Sequence, residues 1–326
     1  MDVRSLIQHH GVGVFSVDSG YERPRFDAVH LIVEGGRAAI VDTAHAASVP
    51  RTLAALDAVG VDRDRVDWVI LTHVHLDHAG GAGLLMRALP NARLAVHPRG
   101  APHMVDPSRL WAGTVEVYGA AEAEAVYGVP VPVEADRIEP LPDGATVSLA
   151  GRRIEAIDAP GHARHHVVLR DEATGHLFAG DTFGISYREF DVDGRAFAFP
   201  SSTPVQFDPP ALRATLRRIL ALAPGAVYLT HWSRVEDVPR LGATLLRLVD
   251  RYEAIGRDAQ AAHGDDPDRL LPALERAMDA LLVGEVAAHG SRLGADAVRA
   301  LLAIDIPLNA AGLAAWLRAS ARPAAP

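Results

Sequence analysis

The chain has 326 residues, of which 49% are apolar and 22% are charged, so a full hydrophobic core is expected and intrinsic disorder is not. The formal net charge of −9 gives the chain no general attraction to nucleic acids or to anionic membranes. Cysteine is absent and all 32 basic residues are arginine, which excludes disulfides, thiolate nucleophiles, cysteine-ligated metals and lysine-based cofactor or phosphate chemistry.

Short segments rich in Val, Ile and Leu alternate with helical segments over the first two-thirds of the chain. Such segments are typical of strands buried in a sheet, whereas residues 49–59 have the spacing of a helix with one apolar side. Strands are predicted at residues 26–33, 38–41, 68–72, 146–157, 167–170, 176–179 and 226–230. This alternation predicts an α/β core built on two sheets.

Helical patterns dominate after Asp208. Helices are predicted at residues 209–222, 238–255, 269–282 and 296–302, and Asn309 is predicted to cap a last short helix. Asp266 followed by Pro267 has the form of a helix N-terminus. We therefore predict a catalytic core over residues 1–235 and a helical C-terminal extension over residues 236–326.

A cluster of polar side chains follows the strand predicted at residues 68–72. His73, His75, Asp77 and His78 fall within six residues, and Gly80 and Gly81 indicate a turn into a helix. His73 and His75 share a face if the chain is extended, whereas Asp77 and His78 lie in the turn. Neutral imidazole and carboxylate groups are ligands for zinc, iron or manganese. A loop of this kind can present its groups around two adjacent points, so the sequence predicts a pair of metal ions.

Four further motifs follow β-like runs. Asp42 lies in Ile-Val-Asp-Thr, His162 in Ala-Pro-Gly-His, Asp181 in Ala-Gly-Asp-Thr and His231 in Tyr-Leu-Thr-His. The cluster at residues 73–78 lies between the first and the second of these motifs. In this order along the chain, the five motifs resemble those of the metallo-β-lactamase superfamily.

The resemblance implies a four-layer αβ/βα sandwich with its site along one edge, between the two sheets. It assigns one metal ion to His73, His75 and His162. It assigns the second ion to Asp77, His78 and His231, with Asp181 bridging both. Zinc is the expected metal, with iron and manganese as alternatives.

The residues around these motifs have less specific roles. Asp42 is expected to orient a ligand, the alternative being a turn residue at a strand end. His166 is expected to pack or form hydrogen bonds rather than bind metal, and its neighbour His165 to be exposed. Tyr187 is a candidate to polarise a carbonyl oxygen and Arg188 to hold a carboxylate or phosphate, with ordinary loop packing as the alternative for both.

The expected activity is that of a metal-dependent hydrolase. A hydroxide bridging two metal ions would attack an ester-type bond, in a thioester, a lactone or a phosphodiester, and the catalytic residue Asp77 would orient it and carry a proton. The chain has Asp181 where the largest subgroup of β-lactamases has cysteine, so it is more similar to the lactonase and glyoxalase II-like members. A di-iron or mono-iron oxidoreductase of the same fold and a non-catalytic metal-binding relative are the alternatives.

The expected partner is a small-molecule substrate, with no nucleic acid and no membrane. No uncharged apolar run approaches the ~20 residues of a membrane span, and the first ten residues lack the apolar stretch of a signal peptide. We therefore expect a cytoplasmic protein. The C-terminal helices are expected to cover the substrate cleft, with a homodimer contact as the alternative.

Overall fold

The computed structural model describes residues 3–203 and 205–321, and the chain divides into two compact units that interleave along the sequence. Unit 1 comprises Met1–Asp158, His165–Gly180 and Pro224–Val235, and unit 2 comprises Ala159–Arg164, Asp181–Ala223 and Glu236–Pro326. Unit 2 therefore includes segments that precede residue 235 as well as the residues that follow it. The division into a catalytic core over residues 1–235 and a C-terminal extension over residues 236–326 stays a prediction.

The first sheet of unit 1 has seven strands in chain order. They are β1 (Ile7–His9), β2 (Val14–Asp18), β3 (Ala28–Glu34), β4 (Arg37–Val41), β5 (Val66–Ile70), β6 (Arg93–Val96) and β7 (Ile138–Pro140). The pairs β1–β2, β2–β3 and β3–β4 are antiparallel. β4 to β7 are parallel, and parallel neighbours require crossover connections.

The helices of unit 1 lie in the connections between the strands of this first sheet. They are α1 (Val49–Ala58), α2 (Leu76–Ala79), α3 (Ala82–Ala88), α4 (Ala101–Val105), α5 (Ser108–Tyr118) and α6 (Ala120–Tyr127). The helix predicted at residues 49–59 is therefore confirmed as α1. None of the residues of α5 is fully buried, although Trp111, Val115 and Tyr118 have helical spacing and Leu110 packs against the core of unit 1; no helix was predicted here.

The second sheet of unit 1 has six strands in the order β13-β12-β11-β10-β9-β8. They are β8 (Thr146–Leu149), β9 (Arg152–Asp158), β10 (Val167–Asp171), β11 (Leu177–Gly180), β12 (Val227–Leu229) and β13 (Ser233–Val235). β11 and β12 are parallel, and every other neighbouring pair is antiparallel.

The core of unit 1 has two parts because the first sheet is buried on both faces. Ala39 and Val41 of β4 pack in a cluster with Phe178 and Tyr228 of the second sheet. Ile40, on the opposite face of the same strand, packs in a cluster with the helices. Successive side chains of a strand point to opposite faces, and this explains why the strands of the first sheet are nearly continuous apolar runs.

Unit 2 contains the remaining helices. They are α7 (Pro209–Ala221), α8 (Val238–His263), α9 (Pro267–Ala288), α10 (Ala295–Leu301) and α11 (Asp305–Ser320). The predicted cap at Asp266 is confirmed, since its side chain accepts a hydrogen bond from the backbone N–H of Asp268. The cap predicted at Asn309 is wrong. α11 begins at Asp305, and Asn309 lies buried inside it, where its Oδ1 accepts a hydrogen bond of 2.6 Å from the Ser202 N–H.

Over residues 3–203 and 205–321, no single helix is both long enough and apolar enough to cross a membrane. α10 and α11 meet these criteria only as a pair, with a bend of 66° between them.

Candidate metal centre

The segment that carries four of the predicted ligands follows β5 and forms the one-turn helix α2. His75 occupies the N-terminal cap position of α2, and Asp77 and His78 lie within its single turn. Gly81 follows, and a Cβ atom at this position would lie 2.8 Å from the carbonyl oxygen of Thr43 and 2.9 Å from Val49. Glycine is therefore required here for the loop to pack against the residues that follow β4.

Three polar side chains of unit 1 form a candidate metal-binding group, Asp77–His78–His231. Their ligand atoms all lie within 4.8 Å of one another. Asp77 Oδ2 is 3.4 Å from His231 Nε2 and 3.7 Å from His78 Nε2. Two ligand atoms of a tetrahedral zinc ion, each at 2.0–2.2 Å from the metal, are separated by about 3.3–3.6 Å. The spacing and the chemistry of this group therefore fit a divalent ion.

Both histidines of this group are oriented through their other ring nitrogen. His78 Nδ1 donates a hydrogen bond of 2.8 Å to Asp42 Oδ2, and His231 Nδ1 donates one of 3.0 Å to the carbonyl oxygen of Phe26. A histidine that binds metal normally has such a partner, which fixes its tautomer. In both rings Nε2 is therefore the nitrogen whose lone pair faces Asp77.

Asp42 lies at the centre of a buried network of hydrogen bonds. Besides the His78 ring it accepts hydrogen bonds from the backbone N–H of Thr72 at 2.8 Å, from the Thr72 hydroxyl at 2.8 Å and from the Thr230 hydroxyl at 2.9 Å. Its φ of 56° is in the left-handed region, which non-glycine residues seldom adopt. Asp42 thus has the contact required by its predicted role of orienting a ligand, and it also ties β4 to the segments that carry His78 and His231.

His73 and His75 lie beside each other at the end of the strand, as the period of two predicts. His73 Nε2 is 3.0 Å from His75 Nδ1, a few tenths of an ångström shorter than the separation of two ligand atoms on one tetrahedral zinc ion. His166 is fully buried and its ring stacks on that of His73, with 4.8 Å between centroids, so it packs as predicted. His165 is 6% exposed and lies 5.8 Å from the His75 ring; the prediction that it is exposed is wrong, because its ring packs among these histidines.

His162 and Asp181 are neighbours in unit 2. His162 Nε2 is 3.7 Å from Asp181 Oδ2, and His162 Nδ1 donates a hydrogen bond of 3.2 Å to the carbonyl oxygen of Ser201. The turn before His162 packs against α7, since a Cβ atom at Gly161 would lie 2.4 Å from the backbone nitrogen of Leu212. The assignment of His162 to an ion with His73 and His75, and of Asp181 as the bridge, stays a prediction.

Tyr187 and Arg188 have partners within unit 2. The buried Tyr187 hydroxyl donates a hydrogen bond of 3.1 Å to the carboxylate of Asp305. Arg188 donates a hydrogen bond of 2.7 Å to the carbonyl oxygen of Ser186 and forms an ion pair of 3.3 Å with Asp191. These contacts are of the kind expected for loop packing, and the predicted roles toward substrate stay predictions.

A row of aromatic side chains, here called the aromatic row, leads away from His231 and was missed by the sequence analysis. It consists of Phe26, Tyr21, Tyr127 and Tyr118, with successive ring centroids 5.4, 5.9 and 5.6 Å apart, and Phe26 lies 5.3 Å from the His231 ring. The Tyr21 hydroxyl donates a hydrogen bond of 3.0 Å to that of Tyr127. Burial, together with the nearby Asp77 carboxylate, raises the pKa of both phenols. No motif pointed to these residues, because they come from one loop and two helices.

A further residue that the sequence analysis missed is Asp27, directly before β3. It is fully buried, and this burial raises the pKa of its carboxyl to about 8. The imidazoles of His231 and His78 act in the opposite direction on the same pKa. The signal was present, since a charged residue opens a strand whose following residues are mostly apolar.

A sequence model of the Metallo-beta-lactamase superfamily matches residues 23–231, which is well over half of the chain. The chain belongs to the metallo-β-lactamase superfamily. The resemblance inferred from the motifs is thereby confirmed, as is the fold class of two sheets with helices and a helical C-terminal region.

Curated members of the superfamily with a hydrolase name cover most of the chain. A hydroxyacylglutathione hydrolase of Acidiphilium cryptum (strain JF-5) is 30% identical over 262 residues, which are 79% of this chain and 82% of that protein. The enzyme of the same name from Cupriavidus taiwanensis is 31% identical over 265 residues, which are 72% of this chain and 87% of that protein. These relatives place the chain near the glyoxalase II-like members of the superfamily.

A solved member has the same fold over nearly the whole chain. The metallo-β-lactamase family protein TTHA1429 from Thermus thermophilus superposes with a TM-score of 0.59 at 20% sequence identity, over 94% of each chain. At this identity the likeness concerns the fold alone.

Proposed function

We propose that the protein is a metal-dependent hydrolase that cleaves thioesters of small acyl groups. The observation that carries the proposal is the Asp77–His78–His231 group, in which two oriented imidazole nitrogens and a carboxylate oxygen lie at the separations of ligands on one ion. The choice of thioester over the other ester-type bonds is supported by the hydroxyacylglutathione hydrolases, which are 30–31% identical to this chain.

We propose two bound ions, most simply zinc, with the seven ligands that the family resemblance assigns. When bound, the ions lower the pKa of a water molecule and polarise the carbonyl oxygen of the substrate. Iron and manganese accept the same histidine and carboxylate ligands, so elemental analysis of the purified protein must identify the metal.

Asp77 has two tasks in the proposed reaction. Its carboxylate orients the attacking water and accepts one of its protons, while the water oxygen forms a bond to the carbonyl carbon and the carbon–sulfur bond breaks. The proton then passes from Asp77 to the leaving sulfur, so that a carboxylic acid and a thiol are the products. Asp77 suits this task because its side chain is partly exposed, unlike that of His78.

The aromatic row is proposed to bind the uncharged part of the substrate. It begins with Phe26, which lies beside the His231 ring, and reaches the surface at Tyr118, which is 37% exposed. Residues 110–136 around its outer end contain five acidic residues and no basic residue, which disfavours strongly anionic groups there. Aromatic rings contribute large apolar contact areas, and the tyrosine hydroxyls add hydrogen bonds.

The test is a panel of substrates that differ in the type of bond to be hydrolysed. The zinc-loaded protein is assayed with a 2-hydroxyacyl glutathione thioester, a lactone, a phosphodiester and a β-lactam, each with the His231→Ala variant as control. We expect the thioester to be the best substrate and its turnover to be lost in the control. A preference for another substrate would overturn the thioester assignment, and no hydrolysis of any of the four would overturn the hydrolase assignment itself.

A further inference from the structure

Asp27 is a fully buried carboxyl group that the proposed reaction does not use. Its side chain is 0% exposed, and among residues 3–203 and 205–321 neither of its oxygens has a hydrogen-bond partner. Its backbone is satisfied, since its carbonyl oxygen accepts a hydrogen bond of 3.0 Å from the Ser19 N–H. Burying an ionised carboxylate without a partner costs several kcal/mol, so a residue with no role beyond packing would be apolar or amide.

The residues on both sides of Asp27 contact the segment that carries His231. The carbonyl oxygen of Phe26 accepts a hydrogen bond of 3.0 Å from His231 Nδ1. On the other side, the Ala28 N–H donates a hydrogen bond of 2.8 Å to the carbonyl oxygen of Thr230. Asp27 is therefore held beside the segment that carries His231 by its own chain neighbours.

The surroundings of Asp27 contain charges of both signs. Burial raises the pKa of Asp27, and the Asp77 and Asp42 carboxylates raise it further. The imidazoles of His231 and His78 lower it. A bound divalent ion is the largest charge that such a site receives, and it reverses the balance among the neighbouring groups. A carboxyl group that is costly in the metal-free protein becomes favourable once the ion is present.

We propose that Asp27 is a positioning residue of the metal centre, whose negative charge strengthens cation binding through the Asp77–His78–His231 group at the expense of the stability of the metal-free protein. This inference rests on the metal centre of the proposed function and adds a residue to it. For one substitution that removes the charge, the inference predicts weaker zinc binding and a more stable metal-free protein. A merely structural role does not predict this combination.

The experiment compares the wild type with Asp27→Asn, which keeps the size of the side chain and removes the charge. Zinc affinity is measured by competition with a chelating dye, and thermal unfolding is followed in the metal-free proteins. We expect the zinc dissociation constant of the variant to rise by about tenfold or more, the range for residues that support metal ligands. We expect the melting temperature of the metal-free variant to rise by about 2 °C or more. Asp62→Asn, which removes the same charge from an exposed position, should change neither quantity.

Each other outcome is decisive. A variant that binds zinc as tightly as the wild type overturns the inference and leaves the proposed function intact. A variant that loses zinc affinity without gaining metal-free stability, or that does not fold, shows that Asp27 serves the packing of the strand, and this also overturns the inference. Asp27→Ala provides a second test of the zinc affinity. A wild type that binds no zinc, iron or manganese overturns the proposed function and the inference together.

Discussion

At the scale of single residues, three of the candidate ligand histidines, His78, His162 and His231, share one arrangement. In each ring one nitrogen is held by a neighbouring oxygen atom, from Asp42, Phe26 or Ser201, and the other nitrogen faces a carboxylate. The partner sets the tautomer, so the ring needs no rearrangement to bind an ion. Only one of these three partners is a side chain, and it alone can be removed by substitution.

The first prediction therefore concerns Asp42. Replacing Asp42 with Asn should weaken zinc binding by about 10- to 100-fold, because the amide cannot accept all the hydrogen bonds that Thr72, Thr230 and His78 donate to the carboxylate. The affinity is measured by chelator competition. Asp67→Asn, in a half-exposed ion pair with Arg37, is the control and should bind zinc as the wild type does. An unchanged zinc affinity of Asp42→Asn would contradict the orienting role.

The second prediction concerns the exposed end of the aromatic row. Tyr118→Ala should raise KM for the thioester several-fold and leave kcat nearly unchanged, because the ring contributes binding without touching the reacting atoms. Val117 is the matched control, since it lies next to Tyr118 on α5 and is 49% exposed but is outside the row. Steady-state kinetics of both variants check this. Equal KM values for Tyr118→Ala and Val117→Ala would remove the row from the substrate site.

At the scale of elements, the sequence predicted long apolar strands and amphipathic helices, together with the loop between β5 and α3. It did not predict β1, β2, β6, β7 or β13. β1, β7 and β13 have three residues each, too few for a pattern of alternation. α5 was missed although Trp111, Val115 and Tyr118 have helical spacing. The aromatic row was missed because its residues come from one loop and two helices. The motifs near β5, β11 and β12 were recognised since each has its polar residues together in the chain.

The third prediction concerns two glycines in the helices of unit 2. A Cβ atom at Gly312 in α11 would lie 1.3 Å from the carbonyl oxygen of Ser202, whereas none of the described atoms lies within 4 Å of one at Gly284 in α9. Gly312→Ala should therefore lower the free energy of unfolding by more than ~3 kcal/mol, the upper range for overpacked sites. Gly284→Ala should raise it by about 0.5–1 kcal/mol, since alanine is the better helix former. Urea denaturation measures both, and similar values for the two variants would be the contradicting result.

At the scale of the whole molecule, the two sheets of unit 1 are connected by buried polar side chains as well as by the apolar core. His30 of β3 donates a hydrogen bond of 3.0 Å to the carbonyl oxygen of Leu229 in β12. The Ser16 hydroxyl lies 2.9 Å from His30 Nδ1, and the Ser233 hydroxyl of β13 donates to Ser16. This network remains complete only while the His30 ring is neutral.

The fourth prediction concerns acid stability. Burial lowers the pKa of His30 to about 4, while the unfolded chain takes up the proton near 6.5. Between these values the unfolded state binds one more proton, so His30 makes the protein less stable as the pH falls from about 6.5 to about 4, by up to ~1.4 kcal/mol per pH unit. Urea denaturation of metal-free protein at pH 7, 6 and 5 measures the slope, which should be smaller in His30→Gln. An equally steep loss of stability in this variant would assign the acid sensitivity to other groups.

The candidate ligands Asp77 and His78 are separated from His231 by more than 150 residues, and His231 lies two residues after the end of the short strand β12. During synthesis the first sheet can form long before β12 leaves the ribosome, because chains are made at roughly 5–20 residues per second. The Asp77–His78–His231 group then remains incomplete until His231 has emerged. Metal uptake by this group must therefore come late in biogenesis, so a truncated nascent chain that lacks β12 would have Asp77 and His78 in place without being able to retain the ion.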